Sequence, residues 1–558
     1  MISIIINWLI IIFNCYTIGW LSNKLFKIKH SFSLVTILGI IVITSLTSIA
    51  SFFLPIKYFY FILLQIISVI VLVYYRKEIT SNNDVFSNSK NNIILSLSVI
   101  VFSYFSSGFS NINDDGLYYI QTIKWLQQYG FIHGISNLHL SLGLSSSWHI
   151  FQALYSISNT INLNDINGLL LLVFTIFMLE TKNNKPINIL FYTQYLLALI
   201  ISLPFYSAPN PDFAIIIFTI IAFQLFISNS NNKQYYAFII VIAAFCYSIK
   251  ISAIAISILA LFAIFQKNVI KQNKHLIILA ISIIGICLIK NVYQTGYPFY
   301  PYKIFAFNVD WRTPESIIGF FTNGVKSWSF SNSLNPNEIN QLQNISQWDL
   351  LKTLLTRPSS KGFINQIIGL TFIVSTFVVI YLFVKNKIQK NIFILQVIIS
   401  LSLIFWFLFA PQYRFALPML LYFLALIIYL IHKYWLVKFV KLKLYYFHVI
   451  ILLIMLIPAF WSINIKVNST SNQLGQFNKI DSKQLVIPKP QYTFEKIDTI
   501  TINGNQYFHP QNNMYCWNVS LPCLSQGYDE IIYKNYGYRI SLRTNSINDG
   551  FKFIHYNK

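Results

Sequence analysis

Apolar residues fill the chain in runs of about 17 to 25, separated by short polar connections. That is the length at which an α-helix crosses a hydrocarbon core of about 30 Å. The runs predict spans at 2–21, 33–55, 58–75, 91–108, 166–180, 187–205, 212–228, 235–249, 251–266, 275–290, 363–384, 391–410, 414–432 and 446–463, about 14 in all. Two stretches after the fourth run keep an apolar face without the length of a span. In "LYYIQTIKWLQQY" (117–129), Leu117, Ile120, Ile123 and Leu126 recur on one helical face. "SSWHIFQALYSISNTINL" (146–163) behaves alike. Both are expected to lie as interfacial helices on the membrane surface. From residue 464 the pattern changes to short alternating runs, "QLVIPKP", "TFEKIDTITING", "YFHP" and "DEIIYKNYGYRISLRT", with turns at Asn503-Gly504 and Asp549-Gly550. These read as strands of a small β-rich domain. No long internal repeat is visible.

The expected organisation is a four-span element over 1–108, a membrane core over 109–463 and a C-terminal domain over 464–558. The core carries large loops at 109–165 and 291–362. Composition agrees with an all-α polytopic membrane protein. The 558 residues are 55% hydrophobic and 10% charged, with a mean hydropathy of +0.58. A soluble chain carries about 25% charged residues. The first run lacks a basic leader and a small-residue cleavage site, so it reads as a retained span.

The net charge of +23, from 40 Lys+Arg against 17 Asp+Glu, would suggest nucleic acid in a soluble protein. Here the basic residues fall in alternate connections, among them "SNKLFKIKH", "ETKNNK", "QKNVIKQNK" and "KNKIQK". The positive-inside rule accounts for this and excludes a nucleic-acid partner. It places Asp114, Asp115, Asp212, Arg312, Arg414 and the tail together on the extracytoplasmic side. Of five cysteines, Cys15, Cys246 and Cys287 lie in apolar runs. Cys516 and Cys523, in "CWNVSLPC", can form a local disulfide if the tail faces an oxidising compartment.

Few residues are left for chemistry. Asp114, at the mouth of a lipid-lined cavity, has the character of a general base, because poor solvation raises a carboxylate's affinity for a proton. An ordinary helix cap explains it equally well. Adjacent Asp115 exceeds what a cap needs, and the two acids suit a shared proton or a divalent cation, magnesium or manganese. Arg414, in "APQYRFALP", faces the positive end of its own helix dipole, which calls for an anion such as a phosphate unless the side chain snorkels to the interface. Lys250, at a helix C-terminus, can assist it. Asp212 follows Asn210 and Pro211 as a first-turn acid, and positioning an acceptor or metal is its functional alternative. His139, His149 and Arg312 read as local hydrogen-bonding or salt-bridging residues, with acceptor or metal positioning as the second role of His139 and Arg312. No zinc spacing, Walker motif, dinucleotide-binding glycine pattern or nucleophile elbow is present.

The blocks "DDGLYYIQTIKW", "SNLHLSLGLSSSW", "APNPD", "TGYPFYP", "VDWRTP", "APQYRF", "YCWNVSLPC" and "LRTNSINDGF" resemble a family of bacterial polytopic membrane proteins, itself similar to the GT-C class of membrane glycosyltransferases. The resemblance implies transfer of a sugar from a polyprenyl-phosphate-linked donor at the extracytoplasmic face of the bacterial cytoplasmic (inner) membrane. The acceptor would belong to a cell-envelope polysaccharide, lipid or protein glycan. It assigns the base role to Asp114 before Asp115 and donor-phosphate binding to Arg414 and Lys250. Here the acidic loop follows the fourth span, whereas in typical GT-C enzymes it follows the first. The alternatives are a surface-polysaccharide polymerase or ligase, and a transporter or flippase of lipid-linked glycans. A transporter would carry charges buried mid-span and repeated halves; the spans are nearly free of mid-span charges and no similar halves are visible.

Overall fold

The structure, a computed structural model, describes residues 1–28, 31–79, 84–108, 112–156, 164–181, 187–228, 232–330, 345–357, 360–409, 411–436, 444–460, 463–464, 476–477, 482–488, 496–511, 515–525 and 527–556. Most of it is helix. The helices are α1 (Ile2–Phe26), α2 (Phe32–Ala50), α3 (Tyr58–Ile79), α4 (Ser89–Ser106), α5 (Ile120–Gln128), α6 (Ser147–Tyr155), α7 (Ile166–Glu180), α8 (Asn188–Ile201), α9 (Pro211–Ser228), α10 (Lys233–Ile249), α11 (Ile254–Ile264), α12 (Val269–Gln272), α13 (Lys274–Thr295), α14 (Glu315–Phe330), α15 (Gln347–Thr356), α16 (Ser360–Val384), α17 (Lys390–Phe409), α18 (Tyr413–Ile431) and α19 (Leu444–Met455).

A helix lies at each expected span, but among the described residues eight are long and apolar enough to cross a membrane: α1, α2, α3, α9, α13, α16, α17 and α18. Five others, α7, α8, α10, α11 and α19, are shorter apolar helices. The 15 residues of α7 rise about 22 Å, short of a hydrocarbon core of about 30 Å. Length and composition therefore support eight of the expected spans among the described residues.

Helices apolar on all sides belong in the interior. Both α7 and α9 follow this rule, with nearly every residue buried. By contrast α3 buries little and offers the remainder of its apolar surface outward. The N-terminal pair crosses at two glycines. A Cβ on Gly19 would sit 1.9 Å from the Val35 carbonyl oxygen, and one on Gly39 would sit 1.7 Å from that of Cys15. Only glycine allows so close a backbone approach.

The first loop departs from expectation. Every residue of α6 is buried, packed against α2, α5, α9 and α10. It is an internal plug and not a surface helix, since its polar Ser147, His149 and Gln152 are buried along with its apolar residues; residues 157–163 of the expected segment lie outside the described residues. α5 is also covered, with Gln121, Thr122 and Trp125 buried alongside Ile120, Ile123 and Leu126. The turn before it, Asp115–Tyr119, is wound as π-helix, so the predicted α-helical face does not extend back to Leu117.

The tail forms antiparallel hairpins. After a short β1 (Ile463–Asn464) paired with β2 (Gln476–Phe477), β3 (Ile497–Ile502) pairs with β4 (Asn505–Pro510), and β5 (Tyr538–Leu542) with β6 (Phe551–His555). Asn503 and Gly504 both have positive φ at the β3–β4 turn, as a two-residue hairpin loop requires. Two expected strands are helices instead: Ser482–Val486, and Tyr528–Tyr536, the latter bounded by left-handed Gly527 and Gly537. The hairpins share a core with the first loop: Tyr118, Tyr119, Trp125 and Ile132 pack with Ile502, Tyr507, Ile540 and Phe551.

Candidate functional site

Four helix ends bring their charged residues to one place. Asp212 sits in the first turn of α9, whose start is set by its sequence. Asn210 Oδ1 accepts from the backbone N–H groups of Asp212 (2.8 Å) and Phe213 (3.3 Å), and Pro211 takes the first helical position. Lys250 follows the last residue of α10 and Arg414 is the second residue of α18. Asp114 precedes the π turn.

They form an alternating quartet. Arg414 Nη1 donates to Asp114 Oδ2 at 2.6 Å, and Arg414 Nε lies 3.4 Å from Asp212 Oδ2. Lys250 Nζ donates to Asp212 Oδ1 at 2.6 Å. Gln412 Oε1 accepts from Arg414 Nε at 2.9 Å, and the Tyr119 hydroxyl lies 3.4 Å from Asp114 Oδ2. Phe415 floors the cations, its ring centroid 4.4 Å from Lys250 Nζ and 5.3 Å from Arg414 Cζ. Asp212 is 2% exposed, whereas Asp114 and Arg414 keep 22% and 27%. The cluster therefore opens on the Asp114–Arg414 side.

This answers two questions the sequence left open. Asp114 makes no side-chain cap bond; its carboxylate goes to Arg414. The anion that Arg414 requires is supplied by the protein itself. The proton affinity of Asp114 also runs opposite to expectation. Burial pushes it up, but the Arg414 guanidinium, with Lys250 and the Tyr119 hydroxyl, more than offsets this and holds the carboxyl below the usual carboxylate range.

Asp115 is fully buried, and it is Asp114 that meets Arg414. His139 lies elsewhere: its Nδ1 accepts from the Ser141 N–H at 3.3 Å, its ring lies 4.6 Å from that of Tyr528, and burial lowers its pKa to about 4. Arg312 packs against Gly296, while neighbouring Asp310 meets Arg543 of the tail at 2.9 Å. His149 is buried, its ring 4.8 Å from that of Tyr119, and burial lowers its pKa to about 3. Asp114 and Asp212 are matched by the protein's own cations, and among the described residues no three His, Cys, Asp or Glu side chains come together.

Sequence reasoning missed several contributors. Gln412 and Tyr119 lie within the blocks "APQYRF" and "DDGLYYIQTIKW" but were given no role. Lys290, buried in α13, donates to the Ser145 carbonyl and ties the first loop to that helix; a lysine at the end of an apolar run was the visible signal. The tail's contribution had none. Cys516 and Cys523 form a disulfide, and the loop they close sits on the π turn. The Trp517 N–H donates to the Gly116 carbonyl at 2.9 Å, and a Cβ on Gly116 would lie 2.4 Å from the indole. Gln121 Nε2 donates to the carbonyls of Trp517 and Val519 at 2.8 and 3.0 Å, and Lys124 Nζ to those of Asn518 and Val519, both at 3.0 Å. The helix bearing Asp114 is thus gripped from the quartet on one side and from the disulfide loop on the other.

The family described as a domain of unknown function (DUF8201) matches residues 1–421. The chain belongs to that family. The matched stretch includes Asp114, Asp212, Lys250 and Arg414. No curated protein matches the chain.

Proposed function

We propose that the protein is a membrane glycosyltransferase that moves a sugar from a polyprenyl-phosphate-linked donor to a hydroxyl acceptor at the face bearing the quartet. The positive-inside pattern supports assigning that face to the extracytoplasmic side of a bacterial cytoplasmic membrane. The observation that carries the reading is the partly open Asp114–Arg414 pair, at 2.6 Å, where helix ends meet a folded loop.

The pair explains how the base is armed. With Arg414 on Asp114, the carboxylate is a poor proton acceptor. A donor phosphate entering from the open side draws Arg414, and with it Lys250, onto its own oxygens. Burial then dominates at Asp114 and raises its proton affinity. The acceptor hydroxyl gives its proton to Asp114 Oδ2, and its oxygen forms the bond to the anomeric carbon. The bond from that carbon to the phosphate oxygen breaks, and the electron pair leaves with the lipid phosphate, where Arg414 and Lys250 meet the charge. Asp212 is a positioning residue, holding both cations between turnovers.

The test is a mass-spectrometric profile of envelope glycans in the native host, comparing wild type, a deletion and Asp114→Asn with membrane levels matched. The expected result is the same missing sugar in the deletion and in Asp114→Asn. A wild-type profile from Asp114→Asn beside an altered deletion would remove Asp114 from catalysis.

A further inference from the structure

At the other end of the same helices lies a second site of opposite character. An open cleft of about 990 Å³ is bounded by the end of α1, the end of α9, the start of α10 and the start of α13. From Asp212 to Ser228, α9 rises about 24 Å, so the cleft and the quartet lie at opposite ends of that helix. Lys27, in the left-handed conformation at the C-cap of α1, and Lys233, the first residue of α10, both line it. Asn232 and Gln234 add amide groups, and the rings of Phe26 and His275 stack 5.9 Å apart with planes 4° from parallel. Among the described lining residues there is no acid. The acid felt nearby, Glu180, accepts from the Ser33 N–H at 3.1 Å and from its hydroxyl. Among the described residues neither Lys27 nor Lys233 meets an acid, and cations in a cleft between helix ends suit a phosphate group.

A second observation indicates what carries the phosphate. Two helices that bound the cleft carry exposed apolar residues next to its lining: Leu25 of α1 precedes the lining Phe26, and Ile278 and Ile281 of α13 follow the lining His275 and Leu276, each more than half exposed. Such residues suit acyl chains. We propose that this cleft binds a phosphate-bearing anion, the headgroup of an anionic phospholipid, with Lys27 and Lys233 on the phosphate and the chains along α1 and α13. Basic pockets between helix ends are where such headgroups dock. This site is independent of the proposed transferase chemistry.

Lysines on this face also follow from the positive-inside rule alone, so the test separates the cleft from general surface charge. The purified, delipidated full-length protein in neutral detergent is titrated with phosphatidylglycerol or phosphatidylcholine, and bound lipid is counted by native mass spectrometry. Phosphatidylglycerol is expected to bind in preference to phosphatidylcholine. The Lys27→Gln/Lys233→Gln variant is expected to bind it about 30-fold more weakly, from two lysines near the surface. Lys271→Gln/Lys274→Gln, on the same face outside the lining, is expected to bind as wild type. Equal losses from both variants, or no loss from the first, would overturn the proposal. A third arm adds millimolar inorganic phosphate: failure to displace the lipid supports a lipid ligand, and displacement supports the same phosphate site served by a soluble anion.

Discussion

Replacing Arg414 by methionine removes the charge that joins the two acids and keeps the apolar stem. Breaking one partner out of a buried pair costs about 3–5 kcal/mol. Asp114 and Arg414 keep 22% and 27% of their side-chain surface, and solvent screening reduces the loss to about 2 kcal/mol. For a chain of this size that is a fall in Tm on the order of 2 °C. The sharper signature is its dependence on pH. In the wild type the Asp114 carboxyl is held below its ordinary value of 3.8, so its contribution is fully present above that pH and is lost only as pH falls through the lower folded value. Without the guanidinium, burial becomes the ruling influence and the carboxyl rises above its ordinary value. The variant then binds more protons folded than unfolded, and its stability declines as pH rises from about 4 toward neutrality.

The two slopes have opposite origin and are separable by thermal unfolding in detergent, followed by tryptophan fluorescence between pH 4 and 8. Relative to wild type, Arg414→Met is expected to gain stability on acidification over this range. Arg414→Met/Asp114→Asn is expected to lose that added slope and recover part of the Tm. If the single variant tracks the wild-type profile, or if adding Asp114→Asn leaves the slope in place, Arg414 does not set the proton affinity of Asp114, and the arming step proposed above fails with it.

Two further outcomes follow from other contacts. Gly116→Ala drives a methyl group into the Trp517 indole, 2.4 Å away; overpacking of this kind costs about 1–3 kcal/mol, and Trp517→Ala is expected to restore most of the loss, which a Tm comparison of the single and double variants reads. Asp165 is buried, with Asn7 Nδ2 donating to its Oδ2 at 3.0 Å, and burial raises its pKa from 3.8 to about 6. That shift means up to about 3 kcal/mol of stability lost as pH rises from 4 through 6, so Asp165→Asn is expected to flatten this window and to raise Tm at pH 7.

What the sequence conveyed well was local. The cap Asn210, the first-turn Pro211 and the acid Asp212 sit within three residues, and the hairpin at Asn503-Gly504 needs only two positive φ values. Arg414 was legible as an unmet demand, a cation at the wrong end of a helix dipole. The identity of its partner was not, because Asp114 is 300 residues away and no periodicity spans such a distance. The same limit hid α6. A nine-residue helix that mixes Trp148, Ile150, Phe151, Leu154 and Tyr155 with Ser147, His149 and Gln152 fits a membrane surface and a protein interior equally well, and only the packing of α2, α9 and α10 around it decides. In Tyr528–Tyr536 the flanking glycines were helix-end signals that the isoleucines and tyrosines outweighed, since those residue types favour strands.

The misses share a cause that bears on function. Apolar contacts inside a membrane protein discriminate weakly between neighbours, because lipid is as good a partner as another helix. Register between distant segments then falls to the few polar groups. Here the quartet fixes α9, α10 and α18 to the Asp114 turn, Lys290 fixes α13 to the first loop, and Gln121 and Lys124 fix that loop to the disulfide-closed tail. Each of these ties crosses from one stretch of chain to another far from it. In the proposed mechanism, a donor phosphate that draws Arg414 away from Asp114 exchanges an ion pair and at the same time releases one of the links between the helix bundle and the loop carrying the acid.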